Sequence, residues 1–281
     1  MHDNSTSGRV VDFLLGLIES ADAERVRRRL GLHRPDAAEG KATRSALYAS
    51  WKRMPVPSSV LLWALEEDDP ERNAVVWGHV SADDAMRRAV VRGIPHGPGR
   101  TRAVRVENEL RREQEPPVPE HFSMYGLIGS LRASTSMGPA RAAATMVLGH
   151  PGWQAVAEAD RERPLPGYAR WALAVRPDCP PALRAQFGSH AKFTHRVRQA
   201  GVIDGPGQYA TTWSPATQVL MVLAMGTTMF PTRVREAEDA LRPLVRSQLG
   251  GREDAWAVLA QLVRSYHGTI PELVTTAGAV A

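Results

Sequence analysis

Residues that could do chemistry are few, and their spacing does not assemble a catalytic motif. Cys179, the only cysteine, lies between Asp178 and Pro180 before a predicted helix. A helix N-terminus favours a thiolate, but the adjacent carboxylate opposes it. His190 and His195 are five residues apart, whereas two histidines that bind a metal from one helix face occupy positions i and i+4. We therefore expect no catalytic residue and no metal site in these patterns.

A glycine-rich pattern and two acidic clusters have simpler structural explanations. Gly205–Ala210 formally fits the Gly-x-Gly-x-x-Ala nucleotide-binding pattern, but no predicted strand precedes it. We expect a surface loop there and no bound cofactor. The acidic residues of Glu66–Asp69 and Asp83–Asp84 lie at predicted helix ends, where carboxylates commonly cap the first amides. We expect these acids to be solvated caps, and Ser81 with Asp84 to form a capping box.

Uneven charge is the strongest functional indication in the sequence. The formal net charge is +5, and only three of the 35 basic residues are lysines. Positions 87 to 106 contain six arginines and no acidic residue, and positions 179 to 235 contain six basic residues against Asp204. If the turns of successive helix pairs project on the same side, these arginines form one basic stripe.

We name this stripe the predicted anionic-partner surface. Phosphate, DNA, RNA or an acidic protein would fit it, and charge reversal at Arg88 together with Arg196 should leave thermal stability nearly unchanged. The alternative is that the arginines are solvated and reflect a GC-rich genome. Members of the surface are Arg87, Arg88, Arg92, Arg100, Arg196 and Arg198.

Hydrophobic periodicity indicates that the elements carrying these residues are helices. Within positions 253 to 267, Trp256, Leu259 and Val263 recur every three or four residues and therefore share one helix face. The preceding segment repeats this pattern from Val234 to Val245. Alternating strand patterns bounded by hairpin turns are nearly absent. The sequence therefore predicts an all-α protein.

Composition narrows the class further. A chain of 281 residues with a hydrophobic fraction of 43% can bury a core without disulfide bonds. The apolar runs are shorter than the roughly 20 residues of a membrane-spanning helix, so we expect no membrane insertion. A single cysteine also favours a reducing compartment, and we expect the protein to be cytoplasmic.

Two segments of the chain match each other at offsets of 108 to 110 residues. A duplicated helix pair explains this match, and chance similarity is the alternative. The corresponding elements are Trp63-Ala64-Leu65 and Trp171-Ala172-Leu173, then Asp69-Pro70 and Asp178 with Pro180, then Trp77-Gly78-His79 and Phe187-Gly188-Ser189-His190.

The order of apolar helix, acidic residue, proline, helix and turn in these segments resembles HEAT-like and leucine-rich-repeat-variant proteins. The resemblance covers Ser58–Gly93 and Tyr168–Gly201 and lacks the fixed period of about 40 residues found in those families. It implies an irregular stacked-helix array, a HEAT-like α-solenoid. Such arrays mostly serve as scaffolds that bind proteins or nucleic acids.

A proline- and glutamate-rich segment at 113–120 is the best internal boundary, because its three prolines cannot continue a helix. It divides the chain into an N-terminal helical part, 1–115, and a C-terminal helical part, 120–281. One continuous array through this joint is the alternative.

The function favoured by these patterns is a non-enzymatic helical-repeat scaffold that binds a protein partner. The first alternative is binding of DNA or RNA through the arginine-rich turns. The second is an enzyme whose site is assembled from residues distant in sequence.

Overall fold

Helices make up all of the regular secondary structure that a computed structural model describes, in residues 3–32, 40–188, 195, 197 and 199–281. Within these ranges there is no strand, which confirms the all-α prediction. None of the described helices combines the length and the apolar character needed to cross a membrane. The α-helices with defined bounds are α1 (Asp3–Leu15), α2 (Ser20–Leu30), α3 (Gly40–Trp51), α4 (Ser58–Leu65), α5 (Pro70–Trp77), α6 (Asp84–Val91), α7 (Glu120–Arg132), α8 (Met137–Ala144), α9 (Gly149–Glu162), α10 (Gly167–Ala174), α11 (Pro181–Phe187), α12 (Pro206–Thr212), α13 (Ala216–Met229), α14 (Val234–Gln248), α15 (Glu253–Leu262) and α16 (Ile270–Val280).

The first compact unit joins the two ends of the chain, Met1–Ser50 and Asp204–Ala281. Helix α12 packs against α14, α15 against α16, and α1 against α13. The apolar stripe predicted on α14 is buried, since Val234, Leu241 and Val245 are at most 3% exposed. This confirms the predicted helix face.

The second compact unit is Trp51–Ile203 and contains α4 to α11. Part of its core lies where α8 packs against α10 through small side chains, including Ala140, Ala143, Ala169 and Ala172. Alanine lets two helix backbones approach closely. Larger residues such as Trp153 belong to the same core.

The two matched segments of the sequence are both helix pairs within the second unit. Helix α4 packs against α5, and α10 packs against α11. Ser189 and His190, the end of the second match, lie outside the described residues. The pairs are consistent with the helical-repeat architecture that the resemblance to HEAT-like proteins implies.

The proline-rich segment at 113–120 lies inside the second unit, immediately after a single 3-10 turn at Leu110–Arg112. The boundaries between the compact units fall after Ser50 and after Ile203, so the first unit is discontinuous in sequence. Composition alone does not indicate such an arrangement, because it depends on which distant helices pack together. The division of the chain into parts 1–115 and 120–281 stays a prediction.

Helix starts in the second unit follow the capping chemistry only in part. Asp69 caps α5 by accepting the N–H of Arg72 at 3.0 Å, as its position before Pro70 predicts. Asp83 caps α6 by accepting the N–H of Met86 at 2.8 Å. The predicted capping box that begins at Ser81 is therefore wrong, because the helix starts two residues later than that box requires.

Candidate functional site

Arg88, a member of the predicted anionic-partner surface, is buried. Its side chain is 1% exposed, and its Nε lies 3.0 Å from Glu115 Oε1. Nη1 donates to the Thr145 carbonyl at 3.0 Å, and Nη2 donates to the carbonyls of Pro116 and Pro117 at 3.2 and 3.1 Å. The expectation that Arg88 lies on an exposed turn is wrong, because the proline-rich segment folds over it and supplies its acceptors.

Three other members of that surface are more exposed, but each contacts an acceptor that local sequence did not reveal. Arg92 Nη2 lies 2.7 Å from Glu115 Oε1, and Arg100 Nε lies 3.7 Å from Asp68 Oδ2. Arg87 donates to two backbone carbonyls at and beyond the end of α5, both at 3.4 Å. The basic segment is therefore partly neutralised by acids that the fold brings to it.

Arg196 and Arg198 lie outside the described residues. The grouping of the six predicted members is therefore not tested by the described residues, and binding of an anionic partner at them stays a prediction.

A different group of residues is organised by the carboxylate of Asp68. This residue follows α4 with a left-handed backbone (φ 51°), and its side chain is 2% exposed. Oδ1 accepts the N–H of His96 at 2.8 Å, and Oδ2 accepts the N–H of Gly97 at 3.1 Å. A Cβ at position 97 would lie only 2.6 Å from Asp68 Oδ2, so this close approach requires glycine. Asp68 thus holds the loop that follows α6.

Burial of Asp68 corrects the expectation that the acidic cluster at 66–69 is solvated. The side chain of Glu67 is also only 5% exposed and lies 3.6 Å from Arg72. Both carboxylates are stabilised by hydrogen bonds or ion pairs inside the fold, which offset the cost of removing them from water.

A second structural group contains Trp153, Arg176 and Asp178. Nε and Nη2 of Arg176 bind the two carboxylate oxygens of Asp178 at 2.9 and 2.6 Å. The indole N–H of Trp153 donates to Asp178 Oδ2 at 3.2 Å, and the Arg176 guanidinium lies 5.1 Å from the centre of the indole ring. Arg176 also donates to the carbonyl of Ala144, which anchors it to the end of α8. These contacts fix Trp153 and neutralise the carboxylate.

Residues held by these two groups, among them His96, Gly97, Trp153 and Asp178, line an open cleft of about 570 Å³ within the second unit, which we name the His96 cleft. Most of its surface is apolar, and a much smaller void of about 10 Å³, roughly the space of one water molecule, adjoins His96. Residues lining the cleft are Leu62, Glu66, Ile94, Pro95, His96, Gly97, Pro98, Gly99, Arg100, Thr101, Leu148, Gly149, His150, Pro151, Trp153, Asp178 and Pro180.

Two histidine rings line this cleft, and His96 is the more buried of them. Burial lowers the pKa of His96 below its usual value. The nearby charges of Asp178 and Asp68 partly offset this by raising the pKa, whereas the charge of Arg176 lowers it further. Its Nδ1 is shielded from solvent and makes no hydrogen bond of ordinary geometry within the described residues, although the nearby Ile94 carbonyl weakly favours protonation. The imidazole is therefore neutral at pH 7 and offers both a donor and an acceptor.

Cys179 lies beside the cleft wall but is not activated. It is 2% exposed, and burial raises the pKa of its thiol to about 12 despite the nearby charge of Arg184. The thiol is therefore protonated at neutral pH. In the described ranges no group of three or more His, Cys, Asp or Glu residues is placed to hold a metal ion, and His190 of the histidine pair lies outside them.

Reasoning from sequence did not identify His96, Asp68 or Trp153 as members of one site. A signal for His96 was present, since it lies in Pro-His-Gly-Pro-Gly, and binding residues are often carried by such loops. Asp68 had no separate signal, because it directly precedes the capping residue Asp69. Trp153 resembles an ordinary core tryptophan in sequence.

Comparisons of the chain with protein-family models, with curated protein sequences and with solved structures found no match.

Proposed function

We propose that this chain is a non-enzymatic helical binding protein whose second unit takes up a small organic molecule in the His96 cleft. The observation that supports this is a formed, mainly apolar cavity of about 570 Å³ that has a histidine with a lowered pKa in its wall. Binding sites for small molecules commonly have this size and this mixture of apolar walls with few polar groups. Perturbed ionisable groups also concentrate at such sites.

The state of the reactive groups favours binding over catalysis. Both carboxylate oxygens of Asp178 are already bound by Arg176 and Trp153, and the Cys179 thiol is protonated at neutral pH. A general base or nucleophile needs a pKa matched to its task and access to the substrate. These groups therefore fit the support of a binding wall better than chemistry.

The helical architecture provides a rigid frame for this cleft in our proposal. We take the pairs α4–α5 and α10–α11 to be members of a HEAT-like stack within the second unit, since the matched sequence elements occur in both. The cytoplasmic location expected from the single cysteine stays a prediction.

A protein partner is a second candidate, favoured by exposed apolar residues that are near one another in sequence around the start of α7. Val118, Met124 and Tyr125 are 42%, 56% and 57% exposed. Exposed aromatic and methionine side chains that lie close together are typical of protein interfaces. A Tyr125→Glu variant should lose a partner that the wild type captures, whereas Tyr168→Glu, at a tyrosine that is 49% exposed on α10, should retain it.

Binding of nucleic acid stays a prediction with less support. Arg88 is buried, and Arg92 and Arg100 lie near carboxylates. Electrophoretic mobility shift at low salt would test it, because phosphate contacts weaken steeply as salt rises.

The proposed small-molecule site can be tested by NMR with a general fragment library. The indole N–H of Trp153 lies in the cleft wall, and that of Trp256 donates to the Gly250 carbonyl at 2.9 Å in the first unit. Fragments that bind the His96 cleft should shift the Trp153 signal and leave the Trp256 signal in place. A Trp153→Phe variant assigns the first signal, because that resonance disappears.

A cleft-filling variant provides the control for this screen. Thr101 is an exposed residue of the cleft lining, so Thr101→Trp should reduce fragment binding while Thr101→Ser should not. The proposed function would be contradicted if bound fragments shifted the Trp153 and Trp256 signals equally, or if Thr101→Trp left their binding unchanged.

A further inference from the structure

The chemistry of the cleft wall also indicates which class of ligand it selects, an inference that rests on the proposed function. We infer that the His96 cleft binds an uncharged, mainly apolar molecule that carries one amide or hydroxyl group, and that this group meets the imidazole of His96. Anionic metabolites such as carboxylates and phosphates, and cationic amines, are then disfavoured.

The charged side chains of the cleft wall disfavour an ionic ligand. The charged residues of the lining each have a partner already: Asp178 is bound by Arg176, Arg100 lies 3.7 Å from the carboxylate of Asp68, and Glu66 also makes a polar interaction. An ionic ligand would lose its hydration without gaining an unopposed counter-charge, which weakens binding at least about tenfold relative to a neutral molecule.

The polar contact that the cleft offers to a ligand is made by His96. His96 lines the cleft and is partly exposed, whereas its Nδ1 is shielded, so Nε2 is the ring atom left for a ligand. A neutral imidazole donates through one nitrogen and accepts through the other, and an amide or hydroxyl can satisfy either role. A ligand without such a group would leave this contact unmade and bind about fivefold more weakly.

One feature of the cleft favours an anion. The N-terminus of α9 contributes Gly149, His150 and Pro151 to the lining, and the partial positive charge of a helix N-terminus attracts negative groups. At a solvated site this partial charge raises the affinity for an anion at most about fivefold. Pro151 has no N–H to donate to a ligand. The cost of removing water from a charged ligand therefore exceeds this gain, and the cleft should prefer a neutral ligand to an anion. The helix end also favours the oxygen of a neutral amide.

Four probes of nearly equal size test the inference: benzamide, benzoate, benzylamine and toluene. Dissociation constants would be measured at pH 7.5 from the shift of the Trp153 indole signal, with the Trp256 signal as the internal control. Benzamide should bind at least about tenfold more tightly than benzoate or benzylamine, and about fivefold more tightly than toluene.

Variants then identify the residue responsible. His96→Phe should remove the advantage of benzamide over toluene, while His121→Phe should retain it, because His121 is exposed on α7 and is not among the residues that line the cleft. Thermal unfolding shows whether each variant is folded, and the ranking of the four probes on the wild type tests the ligand class without any variant.

The possible failures can be told apart. If benzoate or benzylamine shifts Trp153 and binds as tightly as benzamide, the ligand class is wrong but the proposed binding cleft stands. If none of the four probes shifts Trp153 at millimolar concentration and the fragment library also fails, the proposed function is wrong. A benzamide preference that survives in His96→Phe overturns the assigned contact.

Discussion

Replacing Arg88 by alanine should lower the free energy of unfolding of the second unit by about 4 kcal/mol. All three guanidinium nitrogens donate, to the Glu115 carboxylate and to the carbonyls of Thr145, Pro116 and Pro117. Removing one partner from a buried ion pair costs about 3–5 kcal/mol, because the remaining groups keep their desolvation cost without their hydrogen bonds. Glu115 is one-third exposed and can regain water, so the expected value is in the middle of this range.

Two other variants separate burial from charge. Arg92 contacts the same Glu115 oxygen, but its side chain is 40% exposed, so Arg92→Ala should cost less than about 1 kcal/mol. Arg88→Lys keeps the charge but not the planar donor group, and should cost about 2 kcal/mol. Arg88→Glu should be the most damaging, because it places a second carboxylate beside Glu115.

Urea denaturation followed by far-UV circular dichroism measures these differences, since the free energy of unfolding falls linearly with denaturant concentration. The expected order of cost is Arg88→Glu, then Arg88→Ala, then Arg88→Lys, then Arg92→Ala. Equal and small effects of Arg88→Ala and Arg92→Ala would refute the reasoning, and would restore the sequence-based expectation that Arg88 is an exposed surface residue.

Three further predictions concern other buried groups. Asp68→Asn should cost about 1–3 kcal/mol in urea denaturation and shift the backbone amide signal of His96, because an NH2 group, which donates, replaces one of the two oxygens that accept the N–H groups of His96 and Gly97; unchanged stability would contradict this. Burial lowers the pKa of both His96 and His79 below 6.5, so the unfolded chain binds more protons. The free energy of unfolding should therefore be level above about pH 6.5 and fall as the pH decreases below it. It should fall less steeply in His96→Phe, and a rise in the free energy of unfolding towards acid pH would contradict the lowered pKa values. Cys179 should resist iodoacetamide at pH 8 in the folded protein and react after unfolding, as mass spectrometry can show, and rapid labelling of the folded state would mean that the thiol is not buried.

The helical class was predictable because its cause is local. The apolar residues from Val234 to Val245 follow the period of a helix, and the burial of that face requires only that something pack against it. The cap at Asp69 was equally predictable, since the side chain bonds an amide three residues ahead. Such contacts depend on neighbours within one or two helical turns.

The His96 cleft, and the environment of the arginines, were decided only by tertiary structure. The carboxylate that pairs with Arg88 comes from Glu115, 27 residues away, and Asp68 reaches the backbone of His96 across 28 residues. A sequence pattern cannot distinguish a solvated arginine from a buried one when the acceptors come from a distant segment. By itself the sequence determined most of the helical segments and their apolar faces, since those depend on backbone geometry and side-chain period. The surface loop predicted at Gly205–Ala210 is wrong, because α12 begins at Pro206 and buries Tyr209 and Ala210. Only the packing of the second unit decided which charges are paired and where a cavity remains, because both depend on atoms brought together from separate parts of the chain.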